Sequence, residues 1–383
     1  MKAAVFIKHT LAAALLSVGL SAVAAPSPQA KQPPQDFSAI QAVTLENKLP
    51  GRKIPYFIRN DEGERRLVGG MVLNTIARAV DTDGDYEMMT WVGGKEAGLP
   101  LYSLKNSHQA FYVIEGKVEF WLDGKYYLLT PGDYASVPPG VKAAFRFQNQ
   151  RNKILLWATG SDMYQSFSRM GEPFSGYVQP ETAKAGFSRE QLLAATTQNG
   201  SLTWFGEPKA KRQAAKMTLD KAPNRAQAYV LAEGAGERYV VGDQMFTYLG
   251  DAKASDGRFI ALLTEGPKGD LVPPHFHGEH TEIFYPLIGR VNMLGNKQQL
   301  EAQPGDAVHI PAGVVHSYQI KDHYTKFIGF LTPAVFDNFF RTLGDPYQGR
   351  VYPSQPGPVQ FQRVIQNIDK LDIYLQGGKP EGK

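Results

Sequence analysis

Six of the chain's eight histidines fall between positions 275 and 323: His275, His277, His280, His309, His316 and His323. His275 and His277 are two apart, so on an extended strand both imidazoles point to one face. Glu282 follows on the next apolar run. His316 comes just after Pro311-Ala-Gly313, a turn that brings the chain back to the same mouth. Three neutral imidazoles and one carboxylate suit a first-row divalent cation with one or two positions left for substrate or water. His275, His277, Glu282 and His316 are therefore the candidate ligands of one divalent transition metal per chain. Ligand type does not choose among iron, copper, manganese, nickel and cobalt. His280, His309 and His323 read as ordinary surface or core histidines.

The elements that must hold these groups are written twice. Tyr112-Val-Ile-Glu-Gly116-Lys-Val118 matches Tyr285-Pro-Leu-Ile-Gly289-Arg-Val291, 173 residues later. At the same offset Pro131-Gly-Asp133 matches Pro304-Gly-Asp306, Pro138-Pro-Gly140 matches Pro311-Ala-Gly313, and Tyr56 matches Tyr229. A repeat of this length without net insertion means two domains of one fold. Each reads as β: runs such as Val113–Leu122 and Ile283–Leu294 are rich in Val, Ile and aromatics, and turn signals arrive every eight to ten residues. Many short strands at even spacing predict a sandwich or small barrel with room for one small ligand. The units are placed at 50–170 and 223–345, with a linker at 171–222 and a C-terminal tail at 346–383. Within the linker, Ser188-Arg-Glu-Gln-Leu-Leu-Ala-Ala predicts a short helix with a Ser cap and Glu190 in its first turn.

Composition narrows the function classes. Charged residues at 20% and hydrophobic ones at 43% describe a folded chain rather than a disordered one. The absence of cysteine excludes disulfides, thiolate metal sites and a Cys nucleophile. A net charge of +4 is too small to argue for nucleic acid. No Gly-rich loop joins a strand to a helix, so no nicotinamide or flavin is implied. Lys2 and Lys8, the small apolar run Thr10–Ala22 and Ala22-Val-Ala24 together read as an export signal over 1–24, cleaved after Ala24. That run is shorter than the about 20 residues that span a bilayer, so the mature protein is expected to be periplasmic or secreted and not membrane-bound. Residues 25–49 read as a flexible, proline-rich arm.

Gly269-x5-His275-x-His277-x4-Glu282-x6-Gly289 fits the first signature of the cupin superfamily at every position, and Gly305-x5-Pro311-x-Gly313-x2-His316 fits the second. The last position of the second signature, often Asn, is Ile320 here. The resemblance spans both repeats and implies an all-β chain of two tandem cupin barrels, each a double-stranded β-helix or jelly roll, joined by a linker with a short helix. More narrowly, the chain resembles the bicupin quercetin 2,3-dioxygenases. That likeness rests on Pro55-Tyr-Phe-Ile-Arg59 with Glu62-Gly-Glu64, on Gly132-Asp-Tyr-Ala-Ser-Val-Pro138, and on Glu282-Ile-Phe284-Tyr285 and His316-Ser-Tyr318. It implies metal-dependent ring opening of a flavonol by O2 with release of carbon monoxide, and Glu282 as ligand, general base for the 3-hydroxyl, or both.

The first repeat departs from the pattern. The positions 173 residues before the ligands are Tyr102, Leu104, Gln109 and Ala143, and His108 falls out of register. The N-terminal cupin is expected to hold no metal, whereas the fungal quercetinases carry theirs in the first cupin. Alternation puts Phe284 on the face of Glu282 and Tyr318 on that of His316, an aromatic lining for a flat substrate or plain barrel core. Two other readings stand beside the dioxygenase: another cupin metal enzyme, such as an oxalate oxidase, a decarboxylase or an isomerase, or a non-catalytic small-molecule-binding bicupin. Enzymes acting on small anions want a cation near the metal, and Arg290 is the nearest in the motif. The expected partners are a small aromatic substrate and O2, with no nucleic acid and no membrane. Oligomeric state is left open, a homodimer included.

Overall fold

The predicted alternation is realised in four antiparallel sheets, two of eight strands and two of five. The computed structural model describes residues 33, 35–196, 200–209 and 213–375. The expected export signal, with its cleavage after Ala24, lies outside them. Among the described residues no helix is long and apolar enough to cross a membrane.

Each barrel sets one eight-stranded sheet against one five-stranded sheet, with the apolar core between them. In strand Asn152–Thr159 the inward side chains Ile154, Leu156 and Ala158 join the first barrel's core. The alternate residues Leu155 and Trp157 face outward, into a second cluster with Phe259, Leu263, Ile283, Tyr285, Ile328 and Phe330 of the other barrel. Trp157 stacks on Phe330 at 5.1 Å and 6°. The two large sheets thus pack back to back. A strand covered on both faces loses its polar alternation, which is why Ile154-Leu-Leu-Trp157 is apolar without a break.

The barrels also exchange a strand. Tyr56–Ile58, from the first repeat, pairs with Ala307–Ile310 in the second barrel, with Tyr56 opposite His309. Reciprocally, Tyr229–Leu231 pairs with Tyr134–Val137 in the first barrel, with Tyr229 opposite Ser136. The two registers are related by the same 173-residue offset as the sequence repeats. Boundaries drawn at 50 and 223 cut across this exchange: each repeat begins with a strand that completes its sister's sheet.

Three segments outside the repeats are more structured than their composition suggests. In the arm, Phe37 and Leu45 are buried. Phe37 fills the space a side chain on Gly313 would need, and Gln41 donates to the Gly313 carbonyl at 3.0 Å. The described part of the arm, expected to be flexible, is therefore strapped to the second barrel by its apolar residues. In the linker, Arg189–Thr196 is the expected helix. Ser188 Oγ accepts the Gln191 N–H at 3.1 Å, and the Gln191 side chain accepts the Ser188 N–H at 2.9 Å, a reciprocal cap. Strand Leu202–Gly206 then adds an edge to the first barrel's five-stranded sheet, with Trp204 opposite Tyr102. In the C-terminal tail, Tyr374–Leu375 pairs with His275–Phe276.

Candidate metal centre

The candidate ligands come from both sheets of the second barrel. His275 lies on strand His275–Phe276, directly opposite His316 at the start of strand His316–Ile320. His277 follows in the loop, where its carbonyl accepts the Gly313 N–H at 2.7 Å. Gly313 has φ of +85°, so the tight turn that presents His316 is bonded to the loop that presents His277. Glu282 reaches in from strand Thr281–Ile288 of the opposing sheet. One ring nitrogen each from His275, His277 and His316 lie within 4.8 Å of one another.

The tautomers are set by neighbours. His275 Nδ1 contacts the Pro273 carbonyl at 2.9 Å, His277 Nδ1 the Asp372 carbonyl at 2.6 Å, and His316 Nδ1 the Val314 carbonyl at 3.0 Å. A carbonyl can only accept, so each Nδ1 carries the proton and each Nε2 offers a lone pair. Burial, helped by His316, pushes His275 down to about 3, and burial drives His277 well below the ordinary imidazole range. Both rings stay neutral, as ligands must.

The lone pairs converge on a carboxylate. His316 Nε2 lies 3.2 Å from Glu282 Oε2, and His277 Nε2 lies 3.5 Å from Oε1. Yet the Nε2 atoms of His277 and His316 are buried without a hydrogen-bond partner. Acceptor facing acceptor in a dry site is repulsive unless a cation lies between them. The donor set therefore fits a divalent metal. For Glu282, burial opposes ionisation, but the hydrogen bond from His280 to Oε1 favours the carboxylate, and the carboxyl is held below its usual range. A bound dication acts in the same direction. His275 is the one partly exposed ligand, so the open side of the centre lies toward it.

Phe284 and Tyr318 both point inward. Phe284 lies 6.1 Å from the His316 ring and 6.2 Å from Tyr318. Tyr318 meets Phe327 edge-on at 5.3 Å and donates its hydroxyl to Gln244 at 2.7 Å. Burial raises the Tyr318 phenol, which keeps it a neutral donor.

Two residues outside the expected ligand set contact this centre. His280, read as ordinary, places Nε2 3.3 Å from Glu282 Oε1 and Nδ1 2.7 Å from Asp372 Oδ2. Burial would lower this ring, but the two carboxylates prevail and raise it. Its position two before Glu282 was the available signal. Asp372 comes from the segment read as a tail, and no local pattern points to it. His309 faces away, stacked on Tyr56 at 4.7 Å and hydrogen-bonded to Tyr86 at 2.6 Å between the barrels. His323 is exposed.

In the first barrel, Tyr102 stands opposite Ala143 as His275 stands opposite His316. Tyr102 donates to Gln109 at 2.6 Å, and Phe167 packs edge-on against it at 5.4 Å. Aromatic core occupies the place of the ligands. Elemental analysis of protein loaded with metal is accordingly expected to give one bound metal per chain. His275→Ala with His277→Ala should empty the site, whereas Tyr102→Phe should keep wild-type content. Two tightly bound metals per chain would contradict this.

The cupin domain family matches residues 89–159 and 262–323. Quercetin 2,3-dioxygenase of Bacillus subtilis (strain 168) is 38% identical over 329 residues, covering 86% of this chain and 97% of that protein. The enzyme of the same name from Aspergillus japonicus is 29% identical over 176 residues, 42% of this chain and 50% of its own length. Among solved structures, the oxalate decarboxylase–formate complex of Lactobacillus farciminis has a TM-score of 0.50 at 13% identity, covering 77% of this chain and 89% of that one. At that identity the likeness is one of fold.

Proposed function

The chain belongs to the bicupin family of the quercetin 2,3-dioxygenases, and we propose that it opens the heterocyclic ring of a flavonol with O2 and releases carbon monoxide. The divalent transition metal for this reaction would be held by His275, His277, His316 and Glu282. The observation that carries the reading is the combination of convergent lone pairs with an uncharged aromatic wall, Phe284, Tyr318 and Phe327. A flat, weakly acidic aromatic suits that wall. A small dianion such as oxalate would need a cation beside the metal, and Arg290 points away, paired with Asp322 at 2.7 Å and Glu301 at 3.3 Å.

A bound dication supplies Lewis-acid charge that favours the ionised form of the substrate's 3-hydroxyl. Glu282 takes the proton of that hydroxyl, with His280 holding its Oε1. The apolar lining excludes water from the ionised ring, which O2 then oxidises. Both oxygen atoms of O2 enter the product, and one ring carbon leaves as carbon monoxide. The export signal read at 1–24 supports a periplasmic or secreted place of action.

Oxygen-electrode assays on a panel of flavonols are expected to show uptake matched mole for mole by carbon monoxide. A flavone lacking the 3-hydroxyl should be inert, and so should oxalate. Turnover of oxalate without turnover of any flavonol would reject the proposal.

A further inference from the structure

The tail residue Asp372 makes more contacts with the metal-binding loop than any element of the barrel requires. Its Oδ1 accepts the Gly278 N–H at 2.7 Å. Its Oδ2 accepts the N–H groups of Glu279 at 2.9 Å and His280 at 3.1 Å, and lies 2.7 Å from His280 Nδ1. Its own carbonyl accepts from His277 Nδ1 at 2.6 Å. Four consecutive residues, 277–280, are thus tied to one residue more than 90 positions away. Successive N–H groups converging on one carboxylate form a closed anion nest.

The residues around Asp372 are anchored on both sides. Leu371 and Ile373 are buried in a cluster with Phe246, Leu331, Phe336 and Phe339. The His277 and His280 rings both rest on that same Phe336, each at 4.6 Å. On the other side, Tyr374 stacks on Phe276 at 5.0 Å and 16°. Asp372 also comes together with His277 and His280 as a second group of three possible donors, but its carboxylate is already engaged by the N–H groups of residues 278–280. It holds the ring of His277 through its Nδ1, and it holds His280, which in turn holds Glu282.

We propose that residues 371–375 form a latch in which Asp372 is a positioning residue for the metal centre, so that latch closure and metal binding are thermodynamically linked. This rests on the reading of His275, His277, Glu282 and His316 as a metal site. Partners that orient ligating histidines commonly change metal affinity by about 10–100-fold when removed. Linkage is reciprocal, so a metal that gains from the closed latch must also stabilise it.

The test uses the full-length protein and Co2+, whose visible bands report ligand geometry. Asp372→Ala is expected to weaken Co2+ binding about 10–100-fold in chelator competition and to alter the visible spectrum, changes that a general loss of stability would not produce. Asp372→Asn should do the same, because an amide oxygen accepts on only one of the two sides and its NH2 faces N–H groups on the other. In the wild type, Co2+ should slow hydrogen exchange at the amides of Gly278, Glu279 and His280 and leave strand Gln109–Glu115 of the first barrel unchanged. Wild-type affinity and spectrum in both variants would overturn the latch, as would exchange at residues 278–280 that ignores Co2+. If Asp372→Ala does not fold, the wild-type exchange experiment still decides. A wild type that binds no Co2+ would instead reject the metal site itself.

Discussion

Glu282→Gln is expected to retain most of its metal yet lose roughly 10²-fold or more in turnover, the usual size of a general-base contribution. Retention follows from three imidazoles whose tautomers are set by the backbone carbonyls of Pro273, Asp372 and Val314, none of which the substitution touches. Loss follows because an amide cannot take the 3-hydroxyl proton. The measurement is metal content by elemental analysis alongside kcat on a flavonol. Full activity at full metal content would remove Glu282 from the chemistry. Loss of metal together with activity would make it chiefly a ligand.

The second large effect concerns the barrel without ligands. Residues 223–383 expressed alone are expected to fail as a soluble monomer. The fragment lacks Tyr56–Ile58, so the edge of Ala307–Ile310 is left open, and its own Tyr229–Leu231 has no partner. It also bares Phe259, Leu263, Ile283, Tyr285, Ile328 and Phe330 to water. Burying one such side chain contributes about 1.5–3 kcal/mol. Six of them together match the whole stability of a typical domain, about 5–15 kcal/mol. A soluble, monomeric fragment that binds metal like the full chain would refute this. In the intact protein, Trp157→Ala should cost about 3–5 kcal/mol of stability, the range for truncating a buried aromatic, while leaving metal content unchanged.

The fold was legible because a period of two and a fixed offset both survive in the residue order. The candidate ligands were legible in part for the same reason: Glu282 with Phe284 and His316 with Tyr318 each share a strand face, whereas His277 follows His275 in the loop and was found by its spacing alone. His280 lies two residues before Glu282 but just outside the strand, where spacing alone does not separate it from an ordinary histidine. The strand exchange left no trace in the repeat. Tyr56–Ile58 carries the same pattern whether it pairs within its own repeat or with its sister. Asp372 was invisible for another reason: a contact across more than 90 residues has no period. The arm did carry a signal, Phe37 and Leu45, which the prolines ahead of it obscured.

The exchanged strands also impose an order of events on the nascent chain. The sheet edge at Tyr134–Val137 stays open until Tyr229–Leu231 has been made, about 90 residues later. The strand Tyr56–Ile58, among the first to be made, waits longer still, for Ala307–Ile310. The first barrel's large sheet is complete only once the second repeat has begun, and the second barrel's only when Tyr56–Ile58 meets Ala307–Ile310. Until those pairings form, both unpaired edges are the places a chaperone must cover.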